Sequence, residues 1–350
     1  MALSIPGAIL KGRTGFLVVL FSLFLVSMIF LSLSMGYIRI PLTDILHILI
    51  TKAAFPIHDF QAINETHLAV IMDVRLPRIL SCAGVGAALA LSGVLFQGIL
   101  LNPLADPYTL GVSAGAAFGA SIAILLNLGN AFVSVPLFAF AGACLTLFMV
   151  IFLSYSAKNP MAGLSSNNLI LSGVIVAAIL SAGISFLKFI ANEQVSVIIF
   201  WLMGSFASKT WPNVSVITAF LGIGFFISMF FARDLNLISL GPKSAASLGV
   251  DLKKITFILL VSGSLLAAVC VSISGIIGFV GLLVPHMVRF ITGPDNRKLI
   301  PLSMLSGAFL LLFADTITRA VLPHEIPIGV LTALTGGPVF CWIFKKNRFK

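Results

Sequence analysis

Charge is what this sequence has least of. Lys, Arg, Asp and Glu together make up 9% of the 350 residues, and 59% are hydrophobic; a soluble domain carries roughly 25% charged residues. With a mean hydropathy of +1.14, the chain cannot cover itself against water, so its solvent is largely lipid and its class is polytopic membrane protein. Acidic residues are scarcer than basic ones, 11 against 21, giving a formal +10. No basic run interleaved with aromatics accompanies that excess, so membrane topology explains it before nucleic acid does. Cysteine is scarce too: Cys82, Cys144, Cys270 and Cys341 all fall inside apolar runs with no CxxC or Cys/His cluster. They read as small buried hydrophobes, neither disulfide partners nor metal ligands. No GxxxxGK[ST] occurs, so the chain cannot cradle ATP phosphates by the usual loop. HExxH is also missing, and no nucleophile–base pair or His/Asp/Glu set stands out inside the apolar runs, which argues against an intramembrane enzyme. With no low-complexity linker and no soluble stretch long enough for its own core, residues 1–350 read as a single membrane domain.

What is present is a succession of apolar runs broken by Gly, Pro, Asn and charges. Lys11 and Arg13 precede an apolar stretch from Phe16 to Leu33, close to the ~20 residues a span needs. No small-x-small cleavage site follows, so this is read as a first transmembrane helix and not a removed signal. The pattern predicts an all-α protein of about ten spans, near 16–37, 76–100, 109–128, 131–154, 166–190, 213–232, 254–275, 277–292, 300–321 and 327–344. Residues 193–211 include FWLMGSFASKTW, apolar and aromatic but too short to cross. They fit an outer re-entrant or interfacial helix with Trp201 and Trp211 at headgroup level. An amphipathic piece is expected near Leu42–Ile50 in the outer connection 38–72.

Placing the N-terminus inside puts fourteen basic and four acidic residues on the inner side and seven of each on the outer side. The whole net charge then lies on one face, as the positive-inside rule requires. The C-terminal KKNRFK becomes a cytoplasmic anchor, and Arg75 and Arg78 in DVRLPRIL become outward exceptions. Pro77 is expected to start the second span, where its missing N–H costs nothing. Asp315 and Arg319, four apart in ADTITR, are expected to pair on one helical face near the outer end. Charges inside spans cost about 2.5–3.5 kcal/mol on insertion scales, so they are functional candidates by default. Asp315 is the acid closest to midplane, too little for the midplane carboxylates of an ion-coupled secondary transporter. His286 reads as a helix-packing residue, and Lys188 and Glu193 as snorkelling groups. Ser165, Ser166, Asn167 and Asn168 read as an N-cap cluster. Small residues at Gly84, Gly86, Ala87, Ala90 and Gly93 allow close helix packing. NPLADP (102–107) breaks the chain twice, either as a tight turn or as irregular backbone lining a path.

Six stretches, in order from about residue 70 to 345, resemble the FecCD-type permeases. They are RLPR, ALALSGVLFQGILLNPLADPYTLGVSAGA, WLMGS with TW, SLGPKSAASLGV, GFVGLLVPHMVRFITGPDNRKLIPLS, and ADTITR with EIPIGVLTALTGGPVF. The family supplies the membrane subunit of binding-protein-dependent ABC importers for ferric siderophores, haem and vitamin B12. The resemblance implies a ten-helix type II importer permease, multi-pass in a bacterial or archaeal cytoplasmic membrane with both termini inside. It would be paired as a homodimer or close heterodimer, driven by a cytoplasmic ATPase dimer and fed by a periplasmic or lipoprotein substrate-binding protein. The chain itself would bind no cofactor; ATP and Mg belong to the partner ATPase.

Site roles follow from the same resemblance. Arg75, Arg78 and Arg319 match outward arginines that receive glutamates of the binding protein. Residues 236–252 match the coupling loop that docks in the ATPase cleft, with Leu240, Gly241, Ala245, Ala246, Leu248 and Gly249 as its contact surface; small residues flanked by leucines also read as a knob for a partner's groove. The family often has acidic residues where Gly-Pro-Lys-Ser stands here. Asn102, Leu104, Ser166 and Asn167 fall at the family's cytoplasmic gate. Ferric siderophore is the commonest substrate class of the resemblance, with haem, vitamin B12 and molybdate as alternatives.

Overall fold

The computed structural model describes residues 7–36, 38–53, 64–155, 165–320 and 325–347. Of the charges counted above, Asp59, Lys158, Arg348 and Lys350 lie outside the described residues. Among those described there is no strand. The helices are α1 (Gly7–Ser34), α2 (Leu42–Ala53), α3 (Glu65–Ala69), α4 (Leu76–Ile99), α5 (Val112–Leu125), α6 (Ala131–Ser154), α7 (Ser166–Ile190), α8 (Val195–Leu202), α9 (Trp211–Phe230), α10 (Ala232–Ile238), α11 (Pro242–Ser247), α12 (Leu252–Ser274), α13 (Val280–Thr292), α14 (Asn296–Ala320) and α15 (Ile328–Asn347).

Seven of these are long and apolar enough to cross a bilayer: α1, α3–α4 taken together, α6, α7, α9, α12 and α14. The other three expected spans are helices as well, with shorter apolar stretches: Val112–Leu125, Val280–Thr292 and Ile328–Ile343. At 1.5 Å per residue, the 13 residues of α13 reach about two-thirds of a ~30 Å core. The missing length is irregular backbone: residues 275–279 are non-helical, with Gly275 at φ +72° and Phe279 at φ +69°. The short apolar helix expected in 193–211 is α8, with one buried residue, Ile198.

The second span departs from expectation at its start. Asn64 caps the helix by accepting from Thr66 N at 2.9 Å, and the helix runs from Glu65 without a break. Pro77 therefore does not open it. Residues Val70–Arg75 form a π-helical turn, in which Leu76 N–H reaches back to Ile71 O. A proline inside a helix has no N–H for the ladder and crowds the preceding turn; a π-turn just ahead of Pro77 widens the helix where it needs room.

Downstream, α4 becomes the axis of the molecule and is buried without interruption from Val85 to Ile99. Lipid supplies no hydrophobic drive between helices, so close backbone approach does the work. A Cβ on Gly86 would lie 2.3 Å from Gly307 O of α14, and one on Gly93 would lie 1.8 Å from Gly281 O of α13. α12 and α9 pack against other sides of α4. The periphery is inverted relative to a soluble protein, since Phe152, Phe189, Phe226 and Phe230 point outward.

Candidate functional site

The expected site residues collect at two ends of the helix bundle. At the end expected to be the outer one, α1 stops with carbonyls that no longer have helical partners, and two arginines meet them. Arg75 donates to Leu33 O and Ile38 O. Arg319 donates to Ser32 O at 2.7 Å, Ser32 Oγ at 2.8 Å and Met35 O at 2.8 Å. Cations at a helix C-terminus also complement its dipole. Arg75 is only 5% exposed, so its guanidinium faces the helix end and not the medium.

Arg78 takes a different partner. It holds Asp315 of α14 through Nε to Oδ2 at 3.1 Å and Nη2 to Oδ1 at 2.8 Å, and it also donates to Glu325. The expected Asp315–Arg319 pair is therefore replaced by Arg78–Asp315, with Arg319 spent on α1. The reason is geometric: a guanidinium fork matches a carboxylate across two helices better than one held at i,i+4 on the same helix. Asp315 is 1% exposed at the side chain whereas Glu325 is 44% exposed, so the cluster has a buried lock and an accessible rim. Glu325 could not be assigned from sequence because its spacing from Arg78 carries no signal.

Beside this cluster, Lys209 lines a cavity of about 370 Å³ with Asn127, Gln194, Trp201 and Asn213. Desolvation, and then the nearby Arg78 charge, pull its ammonium down to about 8. Trp211, one of the expected headgroup anchors, donates its indole N–H to Met72 O at 3.1 Å, tying α9 to the π-turn.

At the opposite end, expected to be the inner one, α10 and α11 form an elbow turned at Gly241, whose φ of +104° needs a glycine. Leu240 and Leu248 are 66% and 60% exposed, and Ala246 and Gly249 are exposed beside them. Ala245 departs from the expected contact surface: it is fully buried in the core with Leu235 and Ile255, because its side chain faces the bundle that carries the elbow. A polar junction behind the elbow was missed in the sequence, although Asp295, Asn296 and Arg297 lie within GPDNR. Asn236 of α10 donates to Asp295 Oδ1 at 2.8 Å and accepts from Asn296 N at 2.8 Å, and Arg297 grips Asp295 through Nε at 3.0 Å and Nη2 at 2.9 Å. The Arg297 guanidinium, aided by Asn236, holds the Asp295 carboxyl down at about 2 despite partial burial.

NPLADP forms the turn between α4 and α5. Asn102 Oδ1 accepts from Leu104 N at 2.9 Å, and Leu104 is exposed. Asp106 caps a 3-10 turn by accepting from Tyr108 N at 2.7 Å and Thr109 N at 3.1 Å. Burial raises Asp106 to about 6, against the pull of those bonds. The 3-10 turn packs on α7 where Gly173 faces Thr109 and Leu110. Ser166 and Asn167 sit in the first turn of α7, capped by Ser165 through Asn168 N at 3.3 Å. GVSAG (111–115) has the spacing of a nucleophile elbow, but such an elbow needs a strand entering the turn, and a 3-10 turn enters here. His286 lies edge-on to Phe290, ring centroids 4.9 Å apart. Two of the four cysteines, Cys82 and Cys270, are buried as expected; Cys341 is exposed on α15 and Cys144 is half-buried.

The sequence matches the FecCD transport family model over residues 23–346. The chain belongs to the FecCD transport family. It is a permease subunit of an ABC importer, and ATP hydrolysis in such systems belongs to a separate ATPase. This FecCD permease is 39% identical over 288 residues to the cobalamin import system permease protein BtuC of Halobacterium salinarum, covering 82% of this chain and 76% of BtuC. It is 37% identical over 333 residues to the Fe(3+) dicitrate transport system permease protein FecD of Escherichia coli, covering 95% and 99%. A solved inward-facing metal-chelate type ABC transporter matches with a TM-score of 0.80 at 34% identity, covering 97% of the permease and 100% of that chain.

Proposed function

We infer that this FecCD permease carries a metal chelate, with ferric siderophore first among the candidates, through a path between two permease subunits in the cytoplasmic membrane, both termini inside. An ATPase dimer docks on the elbow in residues 236–252, and a substrate-binding protein docks on the outer face. The observation that carries this reading is the pair of exposed leucines, Leu240 and Leu248, projecting from the elbow on either side of Gly241 and Ala245, a shape suited to a groove on a cytoplasmic partner. On the outer face Arg78 is the docking contact, because a partner's glutamate can replace the accessible Glu325 while Asp315 holds the guanidinium in place. Arg75 and Arg319 set the position of α1 beneath that contact. Such rim pairs steer and orient more than they bind, which suits a partner that must leave each cycle. FecD, whose match spans nearly both chains, supports an iron chelate, and a molybdate permease matching over 93% of this chain makes molybdate the second reading.

The test is co-purification and uptake. Ala246→Trp or Gly249→Trp leaves the permease in the membrane and abolishes recovery of the ATPase with it. Arg78→Glu leaves ATPase recovery intact and lowers binding-protein association. Normal ATPase recovery with the tryptophan variants would overturn the coupling assignment. In proteoliposomes, ATP-dependent uptake of ferric siderophore exceeds that of cobalamin, and the reverse order would reassign the substrate.

A further inference from the structure

Where α6 ends and α12 begins, a hollow of about 410 Å³ opens on the surface, lined by Ile151, Tyr155, Asp251, Lys253, Lys254 and Phe257. Its two walls differ in chemistry. Ile151, Tyr155 and Phe257 make an apolar side, and two lysines make a cationic rim. The Lys253 ammonium sits over the Tyr155 ring, 5.6 Å from its centroid, which holds it at the mouth of the hollow.

The charge at this corner is out of balance. Lys253 and Lys254 occupy the first turn of a 23-residue helix, where the dipole disfavours cations. Asp251 is the only acid lining the hollow, and it caps α12 by accepting from Lys254 N at 3.1 Å. Neither ammonium forms an ion pair among the described residues. Two ammonium groups and a helix N-terminus thus face one carboxylate, a corner that attracts an anion. The surface leading from the hollow toward the membrane interior is apolar: Phe148 and Phe152 stand one turn apart on α6, stacked with ring centroids 6.4 Å apart, and are 66% and 71% exposed. A cationic rim at the membrane boundary joined to an exposed aromatic track has the two-part chemistry of a lipid site.

We propose that this hollow binds the phosphate of an anionic phospholipid, with Lys253 and Lys254 on the headgroup and an acyl chain along Phe152 and Phe148. The function and orientation inferred above decide only which leaflet supplies the lipid. The site itself needs a membrane boundary at the α6–α12 junction.

Native mass spectrometry of the permease in nanodiscs tests it, because both leaflets are identical there and orientation has no effect. With phosphatidylglycerol mixed into phosphatidylcholine, the permease retains phosphatidylglycerol about tenfold to thirtyfold in excess, as two lysine contacts imply. The Lys253→Gln/Lys254→Gln variant loses that preference while eluting and melting normally in pure phosphatidylcholine, and Lys253→Arg/Lys254→Arg retains it. Equal retention of the two lipids, or unchanged preference in the glutamine variant, would overturn the proposal. Inorganic phosphate or glycerol 3-phosphate giving the full stabilisation of phosphatidylglycerol would assign the site to a soluble anion and overturn it also. Loss of the ATPase from the glutamine variant with lipid preference intact would make this a protein contact instead.

Discussion

At the scale of single residues, the four charged groups Arg75, Arg78, Asp315 and Arg319 are each held by another element. Arg75 and Arg319 show what holds the arginines that the positive-inside rule does not account for. They finish α1 with fork-shaped donors that a lysine could not reproduce, on the carbonyls of Ser32 and Leu33. Asp106 offers the clearest pH test. Burial raises its folded value from 3.8 to about 6, so the folded protein holds that proton more tightly than the unfolded chain does. Its contribution is therefore fully present below pH 3.8 and lost as pH rises through about 6. The unfolding temperature in detergent falls between about pH 4 and pH 6.5. Asp106→Asn keeps a capping oxygen and flattens that slope; a variant with the wild-type slope would exclude Asp106 as its source. This residue was legible only as part of a turn motif. Its burial depends on α7 packing against the 3-10 turn, which no local pattern encodes.

At the scale of elements, glycine determines how the helices meet. Gly86 on α4 and Gly307 on α14 each place backbone where the other's side chain would go. Overpacking a well-filled core costs about 1–3 kcal/mol, and here the obstacle is a carbonyl, so there is no side chain to rotate away. Gly86→Leu lowers thermal stability in detergent and membrane yield together, while the same change at Gly222, where a Cβ meets nothing within 4 Å, is tolerated. A Gly86→Leu protein with wild-type melting would remove α4–α14 contact as the organising interface. The small-residue stripe on α4 was readable in the sequence, because a run of Gly and Ala in an apolar span has few other uses. Which helix each glycine meets was not readable, since Gly307 and Gly281 carry no mark of their partner. The start of α3 was missed for a related reason: Pro77 signals a helix start locally, and only the π-turn ahead of it lets the helix run through.

At the scale of the whole molecule, α14 joins the two ends. Its first turn is tied to α10 through Asp295 and Asn236, and its last turns hold Arg78 through Asp315 and α1 through Arg319. One continuous helix thus connects the elbow with the Arg78 cluster. Asp295→Ala removes the Asn236 and Arg297 bonds; hydrogen bonds to a charged group contribute about 1.5–3 kcal/mol. In proteoliposomes with the ATPase and binding protein, this variant keeps basal ATP hydrolysis and loses substrate-driven uptake. Uptake that stays in proportion to hydrolysis would assign the junction a purely structural role.

By itself the sequence determined the solvent and the helical class, because each depends on composition and short-range periodicity, which lipid makes strict. It also marked the elbow at Gly241 and the arginines at the outer end. The tertiary structure decided what those arginines hold, that Ala245 is core while Leu240 and Leu248 project, and that Asp295 ties the elbow to α14. Those facts depend on the direction of side chains across residues far apart in the chain, and direction is fixed only when the helices close against one another.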